Sequence, residues 1–336
     1  MAMVMASTWV GEDAVIAESV FGTTRVPAAV EMIENWLEKQ YGEAGHLLSI
    51  ELSVGAAVPI LLNDGRKLFI KIWPGAVDTA ALTGQLCLQG LMSRKGFPAP
   101  AILLEPMPLG PGIAALMTYD RSGEPTDVRI PGVRASMARW LARFVSSARD
   151  FADLPNLPLR DIRYSEKLWP KPHNALFNFE ETTKDAKWIE DIASNALGIL
   201  RKASSEIVVG HHDWSAKNMR MDEDRLAVLY DWDAVFINRE TFVLGGAAAH
   251  FPTTWELPVP KNPTPAEMSS FVRAYEKERG RSFSRREQAE IVASINYVRA
   301  YTARCEHALD TGGKNWPGST REVLSRSTFE LRHLLL

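Results

Sequence analysis

Only two cysteines, Cys87 and Cys305, occur in the 336 residues. They stand far apart with no C-x-x-C pair, so neither a disulfide framework nor a cysteine zinc site is expected. Both fall in apolar, helix-like stretches and read as core cysteines. No run of 18 apolar residues exists, so neither a membrane-crossing helix nor a membrane partner is expected. Charge of one sign is not in excess: 38 Lys and Arg against 41 Asp and Glu give a formal net charge of -3. No basic field therefore points to nucleic acid, and pairs such as Arg285-Arg286 read as a solvated helix face. The opening stretch MAMVMASTWVGEDAV lacks a basic n-region and soon meets Glu12 and Asp13. It does not read as a signal peptide, and a reducing cytoplasm is the expected location. Internal repeats are absent.

What is present is the composition of a globular protein with an ample core, 46% hydrophobic and 24% charged. Residues 28–41 carry Val30, Ile33, Trp36, Leu37 and Tyr41 on one helical face. ILLNDGRKLFIKIWP (60–74) is two apolar runs around Asn63-Asp64-Gly65, a hairpin signal. A helix is expected over 77–96, ended by Gly96 and the following Phe97-Pro98. AILLEP and IAALMTYD are strand candidates. The first ~120 residues thus predict a small sheet with one helix inserted after a hairpin. The remainder predicts helices over 132–152 and 184–203, and two opened by capping boxes at Thr264 and Ser284, the second running to about Leu309. The boundary falls near Tyr119 to Pro125, dividing the chain into 1–121 and 122–336.

GHHDWSAKNMRMDEDRLAVLYDWD (210–233) carries the chemistry. After Asn218 the pattern is strand, polar turn, strand, with Asp231 ending the second strand. Such a hairpin brings Asn218 and Asp231 side by side, with Asp213 on the loop before it. Phosphoryl transfer needs this: magnesium is hard and takes oxygen ligands, often one or two carboxylates, and Asp213 is placed to orient a hydroxyl and accept its proton. The order H-x-D-x-x-x-x-N and then Asp at a strand end follows the catalytic-loop logic of kinases. Lys71, in the apolar strand LFIKIW between a hairpin and a helix, fits the cation such enzymes place on nucleotide phosphates; by itself it reads as an exposed-face lysine. A transition-metal site of His211, His212, Asp213 and His250 is the competing reading. Adjacent strand histidines point to opposite faces, however, and no H-E-x-x-H spacing occurs. Trp214 and Trp232 read as core packing for the loop. Trp169, in LWPKPHN (168–174), is a substrate-side candidate.

These motifs resemble those of the aminoglycoside phosphotransferase and choline kinase-like family, a branch of the protein-kinase-like fold. HHDWSAKN is similar to its H-G-D-x-x-x-x-N loop and YDWD to its I-D-W-(D/E) motif, 13 residues beyond Asn218. GFPAP, ALMTYDRSG and DGRKLFIKI follow the family's order, and the resemblance spans roughly residues 28 to 300. It implies an α+β, two-lobed protein-kinase-like fold with a small antiparallel-sheet N-lobe and a larger, mostly helical C-lobe. Residues 1–121 would be the nucleotide-binding lobe, and 122–336 the lobe with the catalytic loop and substrate site. It further implies an ATP- (or GTP-) and Mg2+-dependent phosphotransferase acting on a hydroxyl of a small molecule, aminoglycoside-, sugar- or amino-alcohol-like. Asp213 would be the base or positioning carboxylate, Asn218 and Asp231 the magnesium ligands, and Lys71 a phosphate contact. Gly55 would lie in the phosphate-covering loop SVGAAVP (53–59), and Met117 to Tyr119 would form the hinge that holds the base. His211 would pin the loop by hydrogen bonds.

The chain departs from the family in four places. His212 stands where the family has glycine, and Gln85 where the following helix usually offers a glutamate to the strand lysine. The phosphate loop has one glycine, and RETFVLGGAAAH lacks the aspartate of the family's Asp-Leu-Ala. The alternative they motivate is a nucleotide-binding pseudokinase with a regulatory role.

Overall fold

The computed structural model describes residues 7–172, 176–311 and 317–334. The chain forms two compact units, Met1–Asp120 and Arg121–Leu336. In the first, helices α1 (Gly11–Phe21) and α2 (Val26–Tyr41) precede strands β1 (Gly45–Leu47), β2 (Glu51–Leu52), β3 (Ala56–Leu62) and β4 (Lys67–Trp73). Helix α3 (Thr79–Arg94) and strands β5 (Ile102–Leu109) and β6 (Gly112–Thr118) complete the unit. The sheet is antiparallel in the order β1-β3-β4-β6-β5, with β2 on the edge of β3. The β3–β4 hairpin turns where the sequence predicts, and Gly65 supplies the left-handed φ of 86° there. Asp78 caps α3 by accepting from the Ala81 N–H at 3.1 Å. Alternation along β3 sends Ala56, Val58, Ile60 and Leu62 into a core shared with Ile33 and Leu37 of α2 and Val20 and Phe21 of α1.

The second unit holds α4 (Pro131–Ala148), α5 (Lys187–Leu200), β7 (Ile207–His211), β8 (Met219–Asp222), β9 (Arg225–Leu229) and β10 (Val235–Arg239). Helices α6 (Glu240–His250), α7 (Pro265–Arg279), α8 (Arg285–Leu309), α9 (Thr320–Arg326) and α10 (Leu331–Leu334) follow. Both capping boxes form, at Thr264–Glu267 and Ser284–Glu287. Helix α8 packs on α5 through Ala293, Tyr297, Ala300 and Ala303 against Ile189, Ala193 and Leu197. It crosses α6 so closely that a Cβ on Gly245 would lie 2.3 Å from the Ser294 Cβ. Strands β7 and β10 pair antiparallel, as do β8 and β9.

The structure corrects several expectations. Helix α1 was not foreseen: its 11 residues scatter apolar side chains around the helix, and only Ala17, Val20 and Phe21 are buried. Cys87 is exposed on α3, because the buried stripe there runs through Gly84, Leu88 and Met92; Cys305 is buried, and burial pushes its thiol up to about 12. Among the described residues no helix is long and apolar enough to cross a membrane. His173 and Asn174 of the LWPKPHN stretch lie outside the described residues.

Candidate active site

The catalytic-loop candidates cluster at the ends of the two hairpin-like pairs of the second unit. Strand β7 ends at His211, and the chain then turns through Asp213 into a short 3-10 turn, Ala216–Asn218, before β8. Pairing of Met219 with Leu229 is followed one residue outward by a Tyr230 N–H to Asn218 carbonyl bond of 2.8 Å. Asp231 is therefore the next residue beyond Asn218's partner. It adopts a left-handed conformation, φ 62° and ψ 45°, as β9 turns into the Trp232–Ala234 turn. Asp and Asn tolerate that region better than most L residues.

His211 ties these pieces together. Its ring is fully buried. Nδ1 accepts from the Asp213 N–H at 3.3 Å, so Nε2 must carry the proton that it donates to the Tyr230 carbonyl, 3.0 Å away. Burial, the largest cause, holds the ring below its ordinary pKa despite the nearby Asp213, Asp231 and Asp233. A neutral imidazole thus bridges the residue before Asp231 to the backbone of Asp213. The loop rests on an aromatic base. Phe144 of α4 lies 6.0 Å from Trp214 and 5.4 Å from Trp232 between ring centroids. Both indoles are buried and donate to backbone carbonyls, Trp214 to Met137 and Trp232 to Leu229. They are core, as the sequence suggests.

Asn218 is buried, and its Nδ2 donates to the Asp213 carbonyl at 2.8 Å. A carbonyl only accepts, so the amide orientation is fixed and Oδ1 is left as the group's acceptor oxygen. Asp213 Oδ2 pairs with Lys217 Nζ at 2.8 Å, while Oδ1 accepts from Ser215 Oγ at 3.2 Å and lies 3.5 Å from His250 Nε2. Burial raises the Asp213 carboxyl, but His250 and Lys217 outweigh it and hold the group well below the usual carboxylate range. An amide oxygen and a carboxylate on adjoining turns suit a hard cation that keeps waters and phosphate oxygens as its other ligands. Among the described residues no group of three or more His, Cys, Asp or Glu side chains is placed to hold a metal ion. With His211 committed to two hydrogen bonds, this disfavours the His-His-Asp transition-metal reading.

His212, in the family's glycine position, packs its ring 5.3 Å from Phe236 and 5.9 Å from Phe242, and its buried Nε2 has no hydrogen-bond partner. Burial, then His211 and Arg160, push its pKa down to about 3. Because the folded value lies below the unfolded one of about 6.5, the unfolded chain takes up a proton the native one refuses. Stability therefore falls as pH drops between those values, by about 1 kcal/mol per pH unit. His212→Phe is expected to flatten this loss between about pH 6 and 4 in denaturant titrations; an unchanged slope would show that His212 titrates freely.

The nucleotide-side candidates all lie in the first unit. Lys71 sits on the central strand β4 between Ala57 and Ala115, its Nζ 5.3 Å from the Trp73 ring centroid. Gly55 closes the tight turn from β2 to β3, where Ser53 N–H donates to the Gly55 carbonyl at 2.9 Å. A Cβ there would meet the Ile72 carbonyl at 2.3 Å, so the single glycine is required by close backbone approach. Met117 is buried near the end of β6, paired with Phe69 and Ile102, and Tyr119 follows the strand with Lys67 Nζ 6.0 Å from its ring centroid. Gln85 is buried on α3. Trp169 packs in the second unit against Tyr297, Tyr301 and Phe179 with a buried, unpartnered Nε1.

Residues 60–282 match the phosphotransferase enzyme family, APH. The chain belongs to that family. Its structure is similar to that of amicoumacin kinase in complex with AMP-PNP, Ca2+ and Ami, with a TM-score of 0.60 at 12% identity over 92% of this chain and 98% of that one. Spectinomycin phosphotransferase in complex with ADP and spectinomycin gives a TM-score of 0.54 at 13% identity, covering 91% and 93%. The GDP and kanamycin complex of APH(2")-IIia gives 0.54 at 13%, covering 87% and 96%. No curated protein sequence matches the chain. The phosphotransferase fold is α+β, with an antiparallel sheet in the N-terminal part and mostly helices in the C-terminal part. Two features of this phosphotransferase are missed or misassigned in the sequence: Glu240 is not singled out, and His250 is grouped with Asp213 only as a transition-metal ligand. Glu240, at the start of α6, is a buried carboxylate that accepts from Tyr275 Oη at 2.8 Å and from Arg279. It is the one acid in a stretch that lacks the aspartate the family motif expects. His250, at the other end of α6, reaches Asp213. Neither has a local signal, because each acquires its partners from residues 35 or more positions away.

Proposed function

We propose that this phosphotransferase is a small-molecule kinase that moves the γ-phosphoryl group of ATP (or GTP) to a hydroxyl acceptor, aminoglycoside-, sugar- or amino-alcohol-like. The observation that carries the reading is the pair of 2.8 Å bonds centred on Asn218, to the Asp213 carbonyl and from the Tyr230 N–H. They bring the Asp213, Asn218 and Asp231 positions into one corner of the second unit. Asn218 Oδ1 and the Asp231 carboxylate would hold Mg2+, which when bound neutralises charge on the transferring phosphoryl group. Lys71 would contact the nucleotide phosphates. The Gly55 turn would cover them, and Met117 and Tyr119 would hold the base, making residues up to about 121 the nucleotide-binding part.

Asp213 is held in its charged form, a poor proton store. Its role follows: it accepts a hydrogen bond from the acceptor hydroxyl and aligns that oxygen on the γ-phosphorus. The proton passes to Asp213 late and from it to solvent, because the transition state is loose and little charge builds on the nucleophile. Lys217, on the far carboxylate oxygen, keeps Asp213 ionised. Of the acidic residues around helix α5, Asp191 pairs with Lys187 and Glu190 with Arg304. This reading places the enzyme in the cytoplasm, where nucleotide and magnesium are supplied.

The test is an acceptor screen that reads ADP release, run beside Asp213→Asn. Magnesium-dependent release is expected to fall by about 10²-fold or more in the variant. The regulatory alternative, favoured by the buried Gln85 and the single-glycine turn, predicts nucleotide binding without turnover on any acceptor.

A further inference from the structure

Helix α6 ends at His250, whose two ring nitrogens are both shielded from solvent and have no hydrogen-bond partner among the described residues. Buried imidazole nitrogens are rarely left so. One side chain beside it is the one the proposed chemistry depends on: His250 Nε2 lies 3.5 Å from Asp213 Oδ1. That is longer than an ordinary N–H···O bond, as catalytic contacts often are before substrate binds. The other oxygen, Oδ2, is held at 2.8 Å by Lys217. The two oxygens of one carboxylate therefore face two cations of different kind, a permanent ammonium and an imidazole whose charge depends on pH.

We propose that His250 is a positioning residue that sets the plane of the Asp213 carboxylate and ties the rate to the imidazole's protonation state. This inference rests on the kinase reading above. As a neutral ring with Nε2–H toward Oδ1, His250 holds the carboxylate opposite Lys217, and its long, weak bond lets the acceptor hydroxyl share Oδ1. As an imidazolium it forms a charge-assisted bond to Oδ1 that competes with that hydroxyl, so the rate falls on the acid side. His212 is the second titratable neighbour and stays uncharged above about pH 4. Phe271 of α7 packs against Phe251, the residue after His250, and Val298 of α8 lies beside Gly246; Arg299, a buried cation on α8, follows Val298. Ser215 adds a neutral donor to Oδ1.

Two measurements test the pair. The first is the pH profile of Mg·ATP turnover with water as acceptor, read as ADP release. Wild type is expected to show an acid limb that depends on the His250 ring. His250→Gln, which keeps a donor at the Nε2 position but cannot charge, should hold the wild-type kcat within about threefold at pH 8 and lose that limb, while His250→Ala should lose about tenfold in kcat with KM for ATP unchanged. An acid limb that persists in His250→Gln, or wild-type rates in His250→Ala at every pH, overturns the proposal. The second is an NMR titration of the histidine rings, with the His250 signal identified by its absence from His250→Gln. In Asp213→Asn its midpoint should move to lower pH, since a neighbouring negative charge is lost; an unmoved midpoint overturns the pairing. If no ADP is released by any form, the kinase reading fails and the NMR result still decides whether the two side chains act together.

Discussion

Asp231→Asn should reduce magnesium-dependent ATP turnover by about 10³-fold or more, close to 4 kcal/mol of transition-state stabilisation. The side chain keeps its shape and its tolerance of left-handed backbone, so the Trp232–Ala234 turn and the buried Trp232 should be undisturbed. What is lost is one negative charge at the site proposed for magnesium, and a carboxylate binds a hard dication far better than an amide does. Asp231→Ala should abolish turnover as well and cost about 1–2 kcal/mol of stability on top, because alanine is strained at φ 62°. ADP release measured across a magnesium titration, with thermal melts as the control for folding, separates the two effects. Near-normal turnover in Asp231→Asn would sink the site assignment.

Asp161→Ala should be the most damaging single change to the second unit, by about 3–5 kcal/mol, a fall of about 10 °C in Tm. The Asp161 side chain is 1% exposed. Its Oδ2 accepts from Arg239 Nη2 at 2.9 Å and Nε at 3.2 Å and from Arg163 Nε at 3.0 Å, and its Oδ1 from the Arg163 N–H at 3.0 Å. Arg239, the last residue of β10, also donates to the Ser205 carbonyl at 2.6 Å. Removing the carboxylate leaves this nearly buried guanidinium without its counter-charge, which is why a truncation costs more than the pair itself contributes. The double change Asp161→Leu with Arg239→Met should recover most of the loss; failure to recover would mean the pair's charge, not its satisfaction, holds β10. The sign of the pH dependence follows. Burial raises the Asp161 carboxyl, but the bonds from Arg239 and Arg163 bring it below its ordinary value. Its contribution is fully present above about pH 4, the unfolded value, and is lost as pH falls through the lower folded value. Asp161→Ala should lack that part of the acid sensitivity, read from denaturant midpoints at about pH 5 and pH 3.

Much of the candidate site was legible in the sequence because the contacts that build it are local. Asn218 and Asp231 are joined by one hairpin, and a period-2 pattern on either side of Asp222-Glu223-Asp224 is enough to pair them. The capped helices α7 and α8 were legible for the same reason: a capping box is closed by residues three apart. Helix α6 was not. Val243, Leu244, Gly245, Gly246 and Ala247 to Ala249 are all buried, so no amphipathic stripe marks it, and its polar ends, Glu240 and His250, look like isolated polar residues.

The sequence by itself determined the β3–β4 hairpin, the helices α2 to α5, α7 and α8, the hairpin that joins Asn218 to Asp231, and membership of a phosphotransferase family. Only the tertiary structure decided that His211 is a buried bridge and not a ligand, that His212 fills an aromatic niche, and that His250 meets Asp213 across 37 residues of chain. The physical reason is range. Hydrogen bonds within a turn and alternation along a strand are written in neighbouring residues, whereas the charge and hydrogen-bonding state of a side chain depend on what packing brings beside it. At Asp213 those neighbours come from the loop itself and from the far end of α6, and no spacing rule connects the two.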